Sequence, residues 1–374
     1  MKVYREFMNI LIAPDKFKGS LSSLEVCEII KNTILAKYPK YNVSTMPMAD
    51  GGEGSLEVLS ETLGAEEVKM FVKDSLFRTI TASYLRKGNV AFIEMAAASG
   101  LQLIKESQRN PLYTTTYGTG QLIKHAVKNR VTEVYLFVGG SATNDAGMGM
   151  LQALGFQFLD ANGEDLFGIG ENMNAVTKII KPENPLDFQL KVICDVENEF
   201  SGKNGAAYVY GPQKGANVEE VEILDQGLVN MAVRFREDLG KDISSIKGSG
   251  AAGGIAGGAL AGLNTELLPG IETIMQLVDF DQKMKEIDLV ITGEGKLDSQ
   301  TLSGKLIAGV AHKLKENNIP LVVFCGKNEL NDTELEVLGV QSTYALLDDK
   351  TTEIEAMNNA KDLLPKRVEE WLSI

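Results

Sequence analysis

The sequence predicts an α/β protein of two domains, and three observations carry that prediction. Short apolar runs rich in Val and Ile alternate with helix-period segments, the pattern of a parallel sheet covered by helices. The loops after those runs are rich in glycine and carry acids, lysines or hydroxyls. The alternation breaks near Gly64 into closely spaced strand-like runs and resumes near Ile287. One α/β domain is therefore expected from both chain ends, residues 1–66 and 285–374, with a mixed α/β domain, residues 67–284, inserted into it. A length of 374 residues gives the same count at about 150 residues per domain.

Taken in order, the first strand-like residues begin at Asn9, and Met1 to Phe7 read as an upstream start or remnant before Met8. Ile10 to Ala13 form the first strand, followed by the loop Pro14 to Gly19. The next helix has Ser22 and Glu25 at capping-box spacing, with Leu24, Ile29, Ile30 and Ile34 as its expected buried stripe. Val43 to Met48 lead into Ala49-Asp50-Gly51-Gly52-Glu53-Gly54 and a helix from Ser55 to Leu63. Then come strands at Val68 to Val72, Ile80 to Leu85 and Val90 to Met95, the last two joined by a hairpin turn at Lys87-Gly88-Asn89. Val134 to Val138 precede the loop Gly139 to Gly147 and a helix through Met150, Leu151 and Leu154. Leu190 to Cys194 end at Asp195. In the last third, Leu289 to Thr292 lead into a loop Gly293 to Asp298 and a helix around Leu306 to Leu314. Leu321 to Cys325 end at Gly326-Lys327, and a strand near Tyr344 to Leu347 precedes a terminal helix in which Trp371 packs against the core.

Composition narrows the chemistry. Lys and Arg total 37 against 51 Asp and Glu, a net charge of −14. Such a surface disfavours nucleic acid and anionic membrane, which need clustered cations, so small-molecule chemistry leads. Cys27, Cys194 and Cys325 are widely spaced and form neither a disulfide framework nor a zinc knuckle. With no signal segment and no long apolar run, a cytoplasmic setting is expected. The two histidines, His125 and His312, lie in helical patterns beside lysines and read as solvated helix residues. A Ser-His-Asp triad or a HExxH zinc site therefore lacks its parts. The chemistry must run on carboxylates, lysine, arginine, hydroxyls, backbone N–H groups and a hard metal ion.

In parallel α/β sheets, ligands sit beyond the carboxyl ends of the strands. One glycine-and-acid loop there means little, because Asp and Gly favour turns for conformational reasons. Several together point to an anion site with a metal. The loop Gly139 to Gly147 is the most specific: Gly139 and Gly140 allow close approach, Ser141 and Thr143 offer hydroxyls, and Asp145 can hold a cation. A turn with Asn144-Asp145 as a helix cap is the alternative. Asp50 with Glu53, and Glu294 with Asp298, are open to the same two readings. Lys16, Lys18 and Lys214 are either solvated lysines or the local positive charge that an anion requires. Gly248 to Gly253 satisfies GxGxxG, but no buried strand precedes it, so a phosphate-facing turn or tight packing fits better than a dinucleotide site. Neither a GxxxxGK[ST] loop nor the HRD and DFG signatures of protein kinases occur.

Six segments in order carry a resemblance. They are Ile12 to Asp15 with Phe17 to Leu21, Pro47 to Gly54, Tyr117 to Gly120, Gly139 to Asp145, Gly211 to Ala216, and Ile291 to Gly295. Together they resemble the bacterial type-1 glycerate kinase family from Asn9 almost to the C-terminus. One departure is Lys16, where the family usually carries Ser. The resemblance implies a flavodoxin-like domain built from both chain ends with a mixed α/β insertion. It also implies ATP-dependent phosphorylation of D-glycerate, at the 2-hydroxyl, with Mg²⁺.

On that basis the substrates are expected in a cleft between the domains, where phosphoryl transfer asks mainly for positioning and charge neutralisation. Asp195 is the first choice for the group that accepts the hydroxyl proton, and Asp50 the second. Lys16, Lys18, Arg78, Lys214 and Glu53 are assigned to the substrate. Gly139, Gly140, Ser141, Thr143, Asn144 and Gly250 are assigned to the nucleotide, and Asp145, Glu294 and Asp298 to Mg²⁺. Two rivals stay open: a non-catalytic sensor of a small hydroxy acid, and an NAD-dependent oxidoreductase using the glycines near Gly250.

Overall fold

The structure is a computed structural model that describes residues 7–49, 51–52, 54–302 and 306–373. The strands in chain order are β1 (Asn9–Ile12), β2 (Asn42–Thr45), β3 (Glu66–Lys73), β4 (Thr79–Lys87), β5 (Val90–Glu94), β6 (Glu133–Phe137), β7 (Gln157–Leu159), β8 (Lys178–Ile180), β9 (Gln189–Ile193), β10 (Thr265–Leu268), β11 (Leu289–Leu297), β12 (Leu321–Asn328) and β13 (Val340–Ala345). The chain divides into two compact units. The first comprises residues 1–50, 61–63 and 271–374, and the second comprises 51–60 and 64–270.

In the first unit a five-stranded sheet runs β13-β12-β11-β1-β2, every pair parallel. Renumbered within the unit this is 2-1-3-4-5, the flavodoxin-like order, whose switch point lies between β1 and β11. Ile10, Ile12, Ile291, Val322 and Phe324 form its core with Trp371, which is 7% exposed and meets Phe324 edge-on. Ser22 and Glu25 close the expected capping box on the helix Ser23–Lys37. The buried stripe of that helix is Val26, Cys27, Ile30 and Ile34, while Leu24 and Ile29 are half-buried. The 100° advance per residue places 26, 30 and 34 inward and turns 24 and 29 to the flank. β11 also runs further than the sequence suggested. Gly293 to Leu297 is strand, paired with β12 as far as Leu297 and Asn328. Glu294 therefore sits in a strand and not in a loop.

In the second unit a six-stranded sheet runs β10-β9-β6-β5-β4-β3. β5, β6, β9 and β10 are parallel, and β3 and β4 are antiparallel. This is the mixed sheet expected from the change of texture after Gly64. The carboxyl ends of β5, β6 and β9 release the segments beginning at Met95, Val138 and Cys194. Because β4 runs against β5, the turn between β3 and β4, residues 74–78, lies at that same edge. Its core includes Leu136, Leu190, Val192 and Ile255, all fully buried.

Candidate active site

The carboxyl edge of the second unit assembles around the loop Gly139 to Asp145. Gly140 takes φ +72°, a conformation that L side chains rarely adopt. Past it, Lys214 is buried, 2% exposed, and donates to Ser141 Oγ at 2.8 Å and to the Thr143 carbonyl at 2.7 Å. Both acceptors are neutral, and among the described residues no carboxylate forms an ion pair with this ammonium. Burial pushes the Lys214 pKa down to about 7, against the pull of the Asp145 charge. An unpaired buried cation is stabilised by an arriving anion.

Asp145 is fully buried. Its Oδ2 accepts from Thr116 N, Thr116 Oγ1 and Gly149 N, and its Oδ1 from Gly147 N. Burial pushes its carboxyl up, and these donors oppose that shift. The expected role as a metal ligand does not fit this arrangement: the carboxylate is filled by protein donors and serves as the hub of the loop. Around it, Thr143 Oγ1, both polar side-chain atoms of Asn144, and Ser249 Oγ are buried without a hydrogen-bond partner. Such groups demand a water or a ligand.

Gly250, expected at the nucleotide, is packed against the Asn198–Glu199 segment. Its N–H donates to Asn198 O, and a Cβ on it would lie 2.0 Å from Glu199 O. The stretch before it is turn and not strand. A Cβ on Gly253 would lie 2.0 Å from Thr143 O, and one on Gly258 2.1 Å from Ala146 O. Within the GxGxxG run Gly253 thus packs against the Gly139–Asp145 loop, while Gly248 and Gly250 pack against Val196 and Glu199.

Arg78 is tied elsewhere as well. Its Nε donates to Asp74 Oδ2 at 2.6 Å and its Nη2 to Leu103 O, so its first task is to pair with a buried carboxylate. Asp195 stands exposed just after β9 and accepts from Gly270 N through Oδ1 at 2.6 Å. A Cβ on Gly51 would lie 2.8 Å from Gly270 Cα, so the end of β9 and the glycine loop after β2 meet there. Asp50 and Glu53 lie outside the described residues. The helix Ser55–Leu63 is capped by Glu94, whose Oε1 accepts from Gly54 N and Leu56 N. Sequence reasoning missed Glu94 and Thr116, because each works through contacts remote in sequence, and Asp74, whose partners Leu76 and Arg78 lie in its own turn. The acid that ends the Val90–Met95 run was the one signal available for Glu94.

In the first unit the switch point gathers a second group. Asp15 N donates to Gly293 O at 2.8 Å, and a Cβ on Gly295 would lie 3.1 Å from Lys18 N, which brings the Lys16–Lys18 loop beside β11. Lys18 is exposed and Lys16 half-buried, with Lys16 N donating to Asp15 Oδ1. Glu294 is 8% exposed and accepts from Thr301 Oγ1. Asp298 accepts from Gln300 N and lies 3.5 Å from Lys296 Nζ. Among the described residues no three His, Cys, Asp or Glu side chains group as a metal cage. Glu294, within β11, and Asp298, just past its end, are carboxylates of the kind Mg²⁺ takes one or two at a time with phosphates and waters. His312, at 76% side-chain exposure, and His125, bonded to Tyr84 OH, stand apart from both groups.

A mixed sheet whose strand-exit loop of small and hydroxyl residues is met by a buried lysine from a helical turn fits the class of α/β enzymes that handle small anions. The sequence matches the glycerate kinase family over residues 10–374. It is 40% identical over 360 residues to the glycerate kinase of Halalkalibacterium halodurans, covering 95% of each chain. It is 38% identical over 361 residues to the glycerate 2-kinase of Escherichia coli, covering 95% of this chain and 94% of that one. A crystal structure from Salmonella typhimurium LT2, whose protein carries the provisional name glycerate kinase 2, is similar with a TM-score of 0.85 at 37% identity over 98% of both chains. The chain belongs to the glycerate kinase family, as its motifs led us to expect, and the enzyme class is that of a glycerate kinase. Among the described residues no helix is long and apolar enough to cross a membrane.

Proposed function

We propose that the protein transfers the γ-phosphate of ATP to the 2-hydroxyl of D-glycerate, giving 2-phosphoglycerate and ADP. The observation that carries this reading is Lys214, a buried ammonium whose hydrogen bonds go only to Ser141 Oγ and the Thr143 carbonyl. When protonated it is a positive point charge, in a loop of small and hydroxyl residues, for a phosphate or carboxylate to complete. In the transfer, the hydroxyl oxygen forms a bond to the γ-phosphorus, the bond to the β,γ-bridging oxygen breaks, and the hydroxyl proton passes to a carboxylate. Asp195 is our choice for that carboxylate, since it stands exposed at the end of a central parallel strand and is oriented by Gly270 N. Ser141, Thr143 and Asn144 line the phosphate side with Lys214, and Lys16 and Lys18 add positive charge at the switch point of the other sheet. Mg²⁺ would supply charge neutralisation on the phosphates, with Glu294 and Asp298 as the residues that would hold it.

An ADP-release assay with D-glycerate, L-glycerate and no acceptor tests the reading, with ³¹P and ¹³C NMR of the product fixing the phosphorylated carbon. D-glycerate-dependent ADP with the phosphate on C2 is expected. Binding of glycerate without ADP formation would make the protein a sensor, and phosphate on C3 would correct the regiochemistry. Asp195→Asn is expected to lower kcat about a hundredfold with both KM values within about threefold. Normal turnover in that variant would remove Asp195 from the proton step.

A further inference from the structure

Among the described residues one arginine has a buried donor with no acceptor. Of the described arginines, Arg78, Arg234 and Arg367 each pair with a carboxylate, and Arg86 Nε donates to Gly88 O. The Nε of Arg109 is buried and has no hydrogen-bond partner. A buried donor on a group that is always charged is costly to leave unmatched, and a guanidinium cannot escape by losing its proton. The position of Arg109 says what it is for. A Cβ on Gly215, which holds φ +100°, would lie 2.2 Å from Arg109 O and 3.0 Å from Arg109 Cβ. Arg109 therefore lies directly against the Lys214–Gly215 turn. The same segment continues to Thr114, whose Oγ1 donates to Ala142 O, inside the loop that Lys214 clasps.

The backbone of one cationic residue thus lies against the turn that carries another, and among the described residues neither has a carboxylate ion-pair partner, in a chain of net charge −14. They differ in what they match. The ammonium is a point charge among hydroxyls, suited to phosphate, whereas a planar fork of N–H groups matches a carboxylate in bidentate fashion. We propose that Arg109 receives the carboxylate of the three-carbon acid and makes the enzyme select the acid over an uncharged analogue. This rests on the reading of the chain as a glycerate kinase, and it gives the arginine role expected of Arg78 to a residue that the sequence motifs left aside.

The test compares wild type with Arg109→Gln and Arg109→Lys. ADP formation by wild type with D-glycerate checks the parent reading separately: if wild type forms none, that reading fails whatever the variants do. Given wild-type turnover, Arg109→Gln is expected to lose about thirtyfold or more in kcat/KM for D-glycerate, the scale of a lost charge-assisted hydrogen bond. The KM for ATP should stay within about threefold, and the preference for D-glycerate over its uncharged amide should collapse. Arg109→Lys keeps the charge without the fork and should fall between the two. It carries the same comparison if the Gln variant does not fold by circular dichroism. An acid-over-amide preference unchanged from wild type would overturn the proposal, because a purely structural role would lower both substrates alike. A loss appearing in the ATP KM would overturn it too, assigning Arg109 to phosphate.

Discussion

At the scale of the residue, the energetics of Lys214 couple the site to pH. Its pKa is pushed down by burial to about 7 from an ordinary value of 10.5. Between those values the unfolded chain holds a proton on this side chain more often than the folded chain does. Stability therefore rises with pH across that window, by at most about 1.4 kcal/mol per pH unit from this one group. Below about pH 7 both states are protonated and the full penalty of burying the ammonium is present; above about pH 10.5 it is gone. Lys214→Met removes the titration. In urea titrations the stability of wild type should gain on that of the Met variant between pH 7.5 and 9.5. Parallel pH profiles for the two proteins would mean that Lys214 keeps an ordinary pKa in the folded chain. The same geometry makes anion binding favour the protonated lysine, so the side chain that is costly to bury in the empty protein is the one positioned to be neutralised by ligand.

At the scale of the element, Asp145 joins two helix starts through one carboxylate. Thr116 is the N-cap of the helix Tyr117–Lys128, and Gly149 lies in the first turn of the helix Met148–Ala153; both send N–H groups to Asp145. Asp145→Asn keeps the shape but puts an NH₂ where one oxygen accepted, so at least one buried donor loses its acceptor, at a cost of about 1–3 kcal/mol. A lower Tm is expected, with the Mg²⁺ concentration for half-maximal activity within about twofold of wild type. A tenfold rise in that concentration would restore Asp145 to the metal. This residue also marks what the sequence could convey. Gly-Gly-Ser-Ala-Thr-Asn-Asp after an apolar run told where the loop was and that it mattered. Whether its acid faced a metal or the chain's own N–H groups depended on Thr116, 29 residues away. The capping box at Ser22 and Glu25 was legible because helix-start chemistry is local. Gly293 to Leu297 was misread as loop because its glycines and charges suit a turn, and only the pairing with β12 makes it strand. The neighbourhoods of Lys214 and Arg109 were hidden for a related reason. Each depends on a glycine, Gly215 or Gly253, that lets one backbone lie against another distant in sequence.

At the scale of the whole molecule, the chain order constrains how it folds. The sheet of the first unit requires Ile10 to find Leu289, a separation of 279 residues matched by the bond from Asn9 N to Asp288. The second unit is nearly continuous in sequence, and its own fold brings its ends together, since Gly51 and Gly270 touch. Once it has folded, the loop that the first unit must close shrinks to about 60 residues, roughly fivefold shorter. That lowers the closure penalty by about 1.4 kcal/mol. The coupling is reciprocal in free energy, although only the first unit has a sheet whose closure spans the other. The single tryptophan, Trp371, packs on Phe324 in the first unit, so its fluorescence reports that unit. Val192→Ala, in the core of the second unit, should lower the denaturation midpoint read by Trp371 although the two residues belong to different cores. Ile291→Ala, in the core of the first, should lower the same midpoint while leaving amide exchange across β6 unchanged below that transition. If Val192→Ala leaves the Trp371 midpoint where it was, the first unit closes its sheet without help, and the long-range pairing of β1 with β11 must be stabilised by contacts of its own.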